Sequence, residues 1–253
     1  MNEKKKLTIE ETFALAVQNH NKNNLQAAEN LYKKILKTNP NYAGVHYNLG
    51  IMYKELKEYQ KSIIFYEKAI QIDPNYTQAY INIGIVFKEL EELQKAISYF
   101  KKATHVQPDY PDGHNNLGLA FLKLKEYQKA MNCFQKTIQL DPSHASGHSN
   151  LGITFKELGE YQKAISCYEK AIQANPHYAR VYYNLGNILQ ELRELEKAKK
   201  CYEKLLNLDP AYKKGYSGYG NLLLKISQHN KGLAYIRKGD GVVRFTQNDV
   251  KFL

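Results

Sequence analysis

Asparagine recurs at 48, 82, 116, 150 and 184, each time 34 residues after the last and each time followed by an aliphatic residue and glycine. A primary amide offers a donor and an acceptor together, as a peptide group does. A row of Asn48, Asn82, Asn116, Asn150 and Asn184 could therefore hold an extended polypeptide by its backbone without demanding a sequence. The same amides could equally brace the protein's own helices, since most side-chain hydrogen bonds go to backbone or water. His144 and His148 have the i, i+4 spacing of two zinc ligands on one helix, but no glutamate follows His144 and a catalytic zinc needs a third protein ligand. Cys133, Cys167 and Cys201 stand 34 apart. Neighbouring equivalent helices lie ~8–10 Å apart, beyond the roughly 7 Å reach of a disulfide, so these cysteines are expected to pack. The K-G-D-G stretch at 238–241 reads as a glycine-rich turn without the strand-loop-helix context of a phosphate cradle. No set of nucleophile, base and oxyanion donors can be assembled. The expectation is no catalytic residue, no metal and no cofactor.

The elements that carry these side chains follow from the same period. Gly50, Gly84, Gly118, Gly152, Gly186 and Gly220 align at 34, as do Pro40, Pro74, Pro108, Pro142, Pro176 and Pro210. From Ala43 to about Leu56 apolar residues fall at helical spacing, and a second such pattern runs from about Glu58 to Ile72, where Asp73-Pro74 stops it. Each unit is a helical hairpin that cannot bury its own apolar stripe, so units must stack. Small residues, Gly50 and Ala69 among them, mark where helices touch, with Leu49, Tyr53 and Tyr66 as filling. Replacing Gly152 with a large residue should damage packing.

The segments HYNLGIMY, YINIGIVF, HNNLGLAF, HSNLGITF and YYNLGNIL, with AISYFKKA, AMNCFQKT and AISCYEKA, resemble the two helices of tetratricopeptide repeats. The resemblance covers about residues 9–238 and implies an all-α, right-handed superhelical solenoid of antiparallel helix pairs. The family's tryptophan position holds Thr12, His46, Tyr80, His114, His148, Tyr182 and Tyr216. The organisation is a basic tail at 1–8, an atypical first repeat at 9–42, and repeats at 43–76, 77–110, 111–144, 145–178 and 179–212. A degenerate seventh repeat at 213–238 and a cap or tail at 239–253 follow, with Gly232, Gly239 and Gly241 weakening the last helix. In the family the inner side of the stack is a concave groove, and the five asparagines fall on it. An asparagine row at this position, contacting bound polypeptide, is similar to that in the repeat region of O-linked N-acetylglucosamine transferases. The row lapses here at Gly218. Ile81, Asn115 and Ser149 stand beside it where a carboxylate clamp would need lysine and arginine, so binding of a chaperone tail is disfavoured.

Charge bounds the remaining classes. The 253 residues carry 36 Lys and Arg against 25 Asp and Glu, for a formal net charge of +11. Lys61, Lys95, Lys129, Lys163, Lys197 and Lys231 form one row. Lys34, Lys68, Lys102, Lys136, Lys170, Lys204 and Lys238 form another, and the two share one outer face of the second helices. Glu58, Glu92, Glu126, Glu160 and Glu194 stand three residues before the first row and can pair with it. A solvated face is the favoured reading, and nucleic acid is disfavoured because no stacking aromatics are interleaved. No apolar run approaches the ~18 residues of a membrane span, and no secretory h-region follows the basic start, so the expected compartment is the cytoplasm. The sequence thus points to a non-enzymatic scaffold that binds a protein or peptide partner in a concave groove. The alternative is a substrate-recruiting arm of a glycosyltransferase-like or other modifying enzyme.

Overall fold

The structure, a computed structural model, describes residues 7–240, 243–246 and 249–252. It divides into two compact units, residues 1–125 and 126–253. In the first unit the helices are α1 (Ile9–Asn21), α2 (Leu25–Thr38), α3 (Ala43–Glu55), α4 (Tyr59–Ile72), α5 (Thr77–Glu89), α6 (Leu93–Val106) and α7 (Pro111–Lys123). The second holds α8 (Tyr127–Leu140), α9 (Ala145–Glu157), α10 (Tyr161–Ala174), α11 (Ala179–Glu191), α12 (Leu195–Leu208), α13 (Lys213–Lys225) and α14 (His229–Asp240). Two short strands, β1 (Val243–Thr246) and β2 (Asp249–Phe252), end it as an antiparallel pair, with Val243 opposite Phe252. The fold class is all-α, a repeat solenoid of helix pairs. Six of the basic-tail residues, 1–6, lie outside the described residues, whereas Thr8 caps α1. Its hydroxyl accepts from the Glu11 N–H at 3.1 Å and the Glu11 carboxylate accepts from the Thr8 N–H at 2.9 Å, a capping box.

Each helix pair turns the corner the same way. In the second repeat the Glu58 N–H reaches back to the Tyr53 carbonyl at 2.8 Å while Lys57 adopts φ 59°, which is a Schellman ending with its left-handed residue. Asn23, Glu91, Lys125, Arg193 and Ser227 take the same positive φ, and Gly159 is the glycine among these corners. Glu58 then serves as N-cap of α4 and pairs with Lys61 one turn on. The corner is set by hydrogen bonding rather than by residue type.

In the second and third repeats the pair closes because one helix offers a glycine and the other an aromatic ring. A Cβ built on Gly50 would lie 2.5 Å from the Tyr66 ring, and one on Gly84 would lie 2.5 Å from the Phe100 ring. Tyr32, Tyr66, Phe100, Phe134, Tyr168 and Tyr202 are fully buried, so this one position supplies the largest side chains of the hydrophobic filling. Ser62, which stands where other repeats have alanine, donates to the Gly50 carbonyl at 2.8 Å across the pair.

The last pair departs from the sequence-based expectation. Lys238, Gly239 and Asp240 belong to α14 and do not form a turn; Gly241 lies outside the described residues. A Cβ on Gly220 would meet the Gly232 carbonyl at 2.7 Å, and one on Gly239 would meet the Lys213 carbonyl at 2.8 Å. These glycines let α14 lie close against α13, so their packing role offsets their low helix propensity. The segment read as a cap or tail contains the β1–β2 pair, whose Val-Arg-Phe-Thr run has the β-branched and aromatic character of a strand.

Candidate functional site

The asparagine row is carried by α3, α5 and α7 in the first unit and by α9 and α11 in the second. In the first unit all three amides are half-buried and spend one donor internally. The Asn48 Nδ2 donates to the Gly44 carbonyl at 2.8 Å, and the Asn116 Nδ2 donates to the Asp112 carbonyl at 2.9 Å. Each is a bond one turn back along its own helix. The Asn82 Nδ2 instead donates to the Tyr47 hydroxyl of the preceding repeat at 3.0 Å. Because an amide has two donor hydrogens and an accepting oxygen, each of these three keeps a donor and an acceptor after its anchoring bond.

The second unit treats the row differently. Asn150 is 8% exposed, and the Asn184 Nδ2 is buried without a protein acceptor among the described residues. At Gly218, the next place in the row, a Cβ would meet the Tyr202 ring at 2.9 Å. The Tyr202 hydroxyl runs on to donate to the Asn187 Oδ1 at 2.7 Å, so this ring takes the space where another asparagine would stand. The neighbours of the row, Ile81, Asn115 and Ser149, are buried.

The residues at the family's tryptophan position form a second repeating device. His46 Nε2 lies 2.8 Å from the Pro40 carbonyl oxygen, His114 Nε2 lies 2.8 Å from that of Pro108, and His148 Nε2 lies 3.0 Å from that of Pro142. Tyr182 and Tyr216 donate their hydroxyls to Pro176 and Pro210 at 3.1 Å. Each aromatic side chain thus latches its helix to the proline carbonyl six residues earlier. The signal was present, since a proline and an aromatic residue six apart recur with the 34-residue period. The latch also uses His148, while His144 Nδ1 accepts from the Gly147 N–H at 2.9 Å and caps α9. The two histidines are therefore engaged in separate structural bonds.

Cysteine and lysine chemistry is likewise local. None of the three cysteines is in a disulfide, and burial raises the pKa of Cys167 and pushes that of Cys201 up to about 11, which leaves both protonated at neutral pH. Lys61, Lys95, Lys163 and Lys197 pair with Glu58, Glu92, Glu160 and Glu194. Lys61, Lys95 and Lys163 also lie over the rings of Tyr53, Phe87 and Phe155. These four lysines of the first row are thereby paired and tied to the helix corners. Among the described residues no helix is long and apolar enough to cross a membrane.

Comparison with known proteins agrees with this architecture. The tetratricopeptide repeat profiles match residues 43–76, 111–144, 133–166 and 179–212, and a further TPR repeat profile matches 86–125 and 154–193. No curated protein sequence matches the chain. Among solved structures, a tetratricopeptide repeat protein from Parabacteroides merdae is 18% identical, with TM-score 0.72 over 95% of this chain and 94% of that one. MamA is 25% identical, with TM-score 0.57 over 64% of this chain and 95% of that one. YrrB, described as a TPR protein with an unusual peptide-binding site, is 22% identical with TM-score 0.56, over 78% of this chain and 97% of that one. The profiles together span residues 43–76 and 86–212, so the chain belongs to the tetratricopeptide repeat family.

Proposed function

We propose that the chain is a non-enzymatic scaffold that holds an extended segment of a partner protein by its backbone, through Asn48, Asn82, Asn116, Asn150 and Asn184. Asn48, Asn82 and Asn116 do most of the holding. The observation that carries this reading is the anchoring of those three amides by one internal bond each. An anchored amide has lost its rotamer freedom before the partner arrives, so less entropy is spent on binding. Asn150 and Asn184 contribute less because their amides are more deeply placed. Two steps between three amides at roughly 9 Å each give a track of about 18 Å, room for on the order of five or six extended residues. The peptide-binding site attributed to YrrB, a protein of the same fold, is consistent with this use.

The fivefold recurrence of asparagine also supports a second reading, a substrate-recruiting arm for a glycosyltransferase-like enzyme, because it resembles the row in O-linked N-acetylglucosamine transferases. Both readings place polypeptide on the same amides. They are tested by selecting ligands from a random dodecapeptide library on the full chain, then titrating the best peptide calorimetrically against wild type and the Asn48→Ala, Asn82→Ala, Asn116→Ala triple variant. At about 1 kcal/mol per bond the triple variant should bind at least ~10-fold more weakly, with unchanged helical content. Unchanged affinity would remove the asparagines from the site. A variant that loses its helical signal would show that they brace the fold instead.

A further inference from the structure

We infer that the outer cleft over His148 is a docking site for an aromatic side chain carried on an acidic segment of a partner protein. This cleft is on a different surface feature from the asparagine row and does not depend on it. It has a volume of about 590 Å³, lies between α8 and α10, and is lined by His148 with Ile138, Pro142, Ser143, Lys170, Gln173 and Ala174. The same place in the second repeat, over His46, is also open, with a volume of about 720 Å³ between Leu36, Pro40 and Lys68. In the seventh repeat, where tyrosine stands instead of histidine, the chain fills this place itself.

Repeat seven shows what the place accepts. Its Tyr216 ring is 6% exposed and donates its hydroxyl to Pro210 at 3.1 Å, and the Lys238 ammonium sits 4.2 Å from the ring centroid. Tyr235 adds a second ring, with centroids 5.8 Å apart. His148, Pro142, Lys170 and Cys167 occupy the corresponding positions 68 residues earlier, so the phenol is replaced by a smaller imidazole and the second ring by a thiol. Lys170 remains, exposed, with no ion pair and no ring beneath it among the described residues. In the second repeat Phe65 still holds the second place, stacking on His46 at 6.0 Å and lying 5.4 Å below Lys68. The cleft over His148 therefore lacks both rings, and a lysine beside a largely apolar cleft with room for a ring is the arrangement that recognises an aromatic face.

Charge selects what carries the ring. The chain is +11 overall, and on this face Lys170 and Lys204 are exposed and free of ion pairs among the described residues. A second copy of this chain would be repelled, whereas acidic residues flanking an aromatic one would be attracted.

The test is side-chain NMR of the full chain, following the His148 ring and the Lys170 ε-methylene. The probe is the peptide acetyl-Glu-Asp-Tyr-Glu-Asp-amide, with a control in which alanine replaces tyrosine. Saturable shifts are expected with the tyrosine peptide, at least ~10-fold weaker with the control, as loss of ring burial and cation–π contact requires. His148→Tyr, which supplies the chain's own ring, and Ala174→Leu, which introduces the residue type at Leu208, should each abolish the shifts while the melting temperature is kept. Lys170→Gln should weaken binding and Lys170→Arg restore it. The variant with Asn48, Asn82 and Asn116 changed to alanine should bind the probe as wild type does, which separates this site from the asparagine row. Equal shifts with both peptides, or undiminished binding by folded Ala174→Leu protein, would overturn the assignment.

Discussion

At the scale of the residue, the aromatic latch has a consequence for acid stability. His46 is buried, and that desolvation, set against its bond to Pro40, lowers its pKa. The folded chain keeps this ring neutral while the unfolded chain takes up a proton near the ordinary value of about 6.5. Below that pH the unfolded state binds a proton that the folded state resists, so the contribution is full above about pH 6.5 and is lost progressively on acidification. His46→Tyr places at this position the residue found at Tyr182 and Tyr216, which make the same bond without titrating. The drop in melting temperature between pH 7.5 and 5.5 should therefore be smaller in His46→Tyr than in wild type. Equal drops in the two proteins would show that His46 takes no part. The asparagine row was legible at this scale, because its period is in the sequence. The bond from Asn82 to Tyr47 was not, since it joins residues 35 apart whose meeting depends on how one repeat sits on the next.

At the scale of the element, the helix limits were readable to within a residue or two because apolar spacing and the proline stops recur together. The corners were not, since a left-handed residue is usually announced by glycine and here only Gly159 announces it. Lysine at φ 59° and glutamate at φ 62° carry a steric cost that glycine avoids. Lys57→Gly and Glu91→Gly should each stabilise the protein by about 1 kcal/mol in urea unfolding, after glycine's greater entropy loss is subtracted. Gly159→Lys should do the reverse. The helix-pair contact predicts a larger effect at Gly152, where a Cβ would lie 2.7 Å from the Tyr168 ring and 3.2 Å from the Ala164 carbonyl. Gly152→Leu should cost about 3 kcal/mol or more, seen as an early loss of amide protection in α9 and α10. The glycines of α14 were misread for a related reason. A glycine read in isolation lowers helix propensity, while Gly232 against Gly220 is explained only by the partner helix.

At the scale of the whole molecule, the 34-residue period made the repeat family, the helix-pair architecture and the positions of the asparagines legible together. What it left open was how each unit uses its share of the row, because burial is set by neighbours: the Tyr202 ring at Gly218 ends the row, and Asn150 is withdrawn to 8% exposure. The proposed grip on a partner is correspondingly assigned to the first unit, where the three anchored amides stand on α3, α5 and α7. The central claim is that these amides grip backbone and leave the partner's sequence largely unread. Its most direct test is a depsipeptide scan of the library-selected peptide, in which each backbone amide is replaced in turn by an ester, alongside an alanine scan of the side chains. Two or three ester positions, spaced about three residues apart to match the ~9 Å step, should each weaken binding roughly fivefold, as about 1 kcal/mol per bond requires. Most alanine positions should change it little. A flat ester scan beside an alanine scan that abolishes binding would contradict the account, because the groove would then be reading side chains and the asparagines would not be holding the chain.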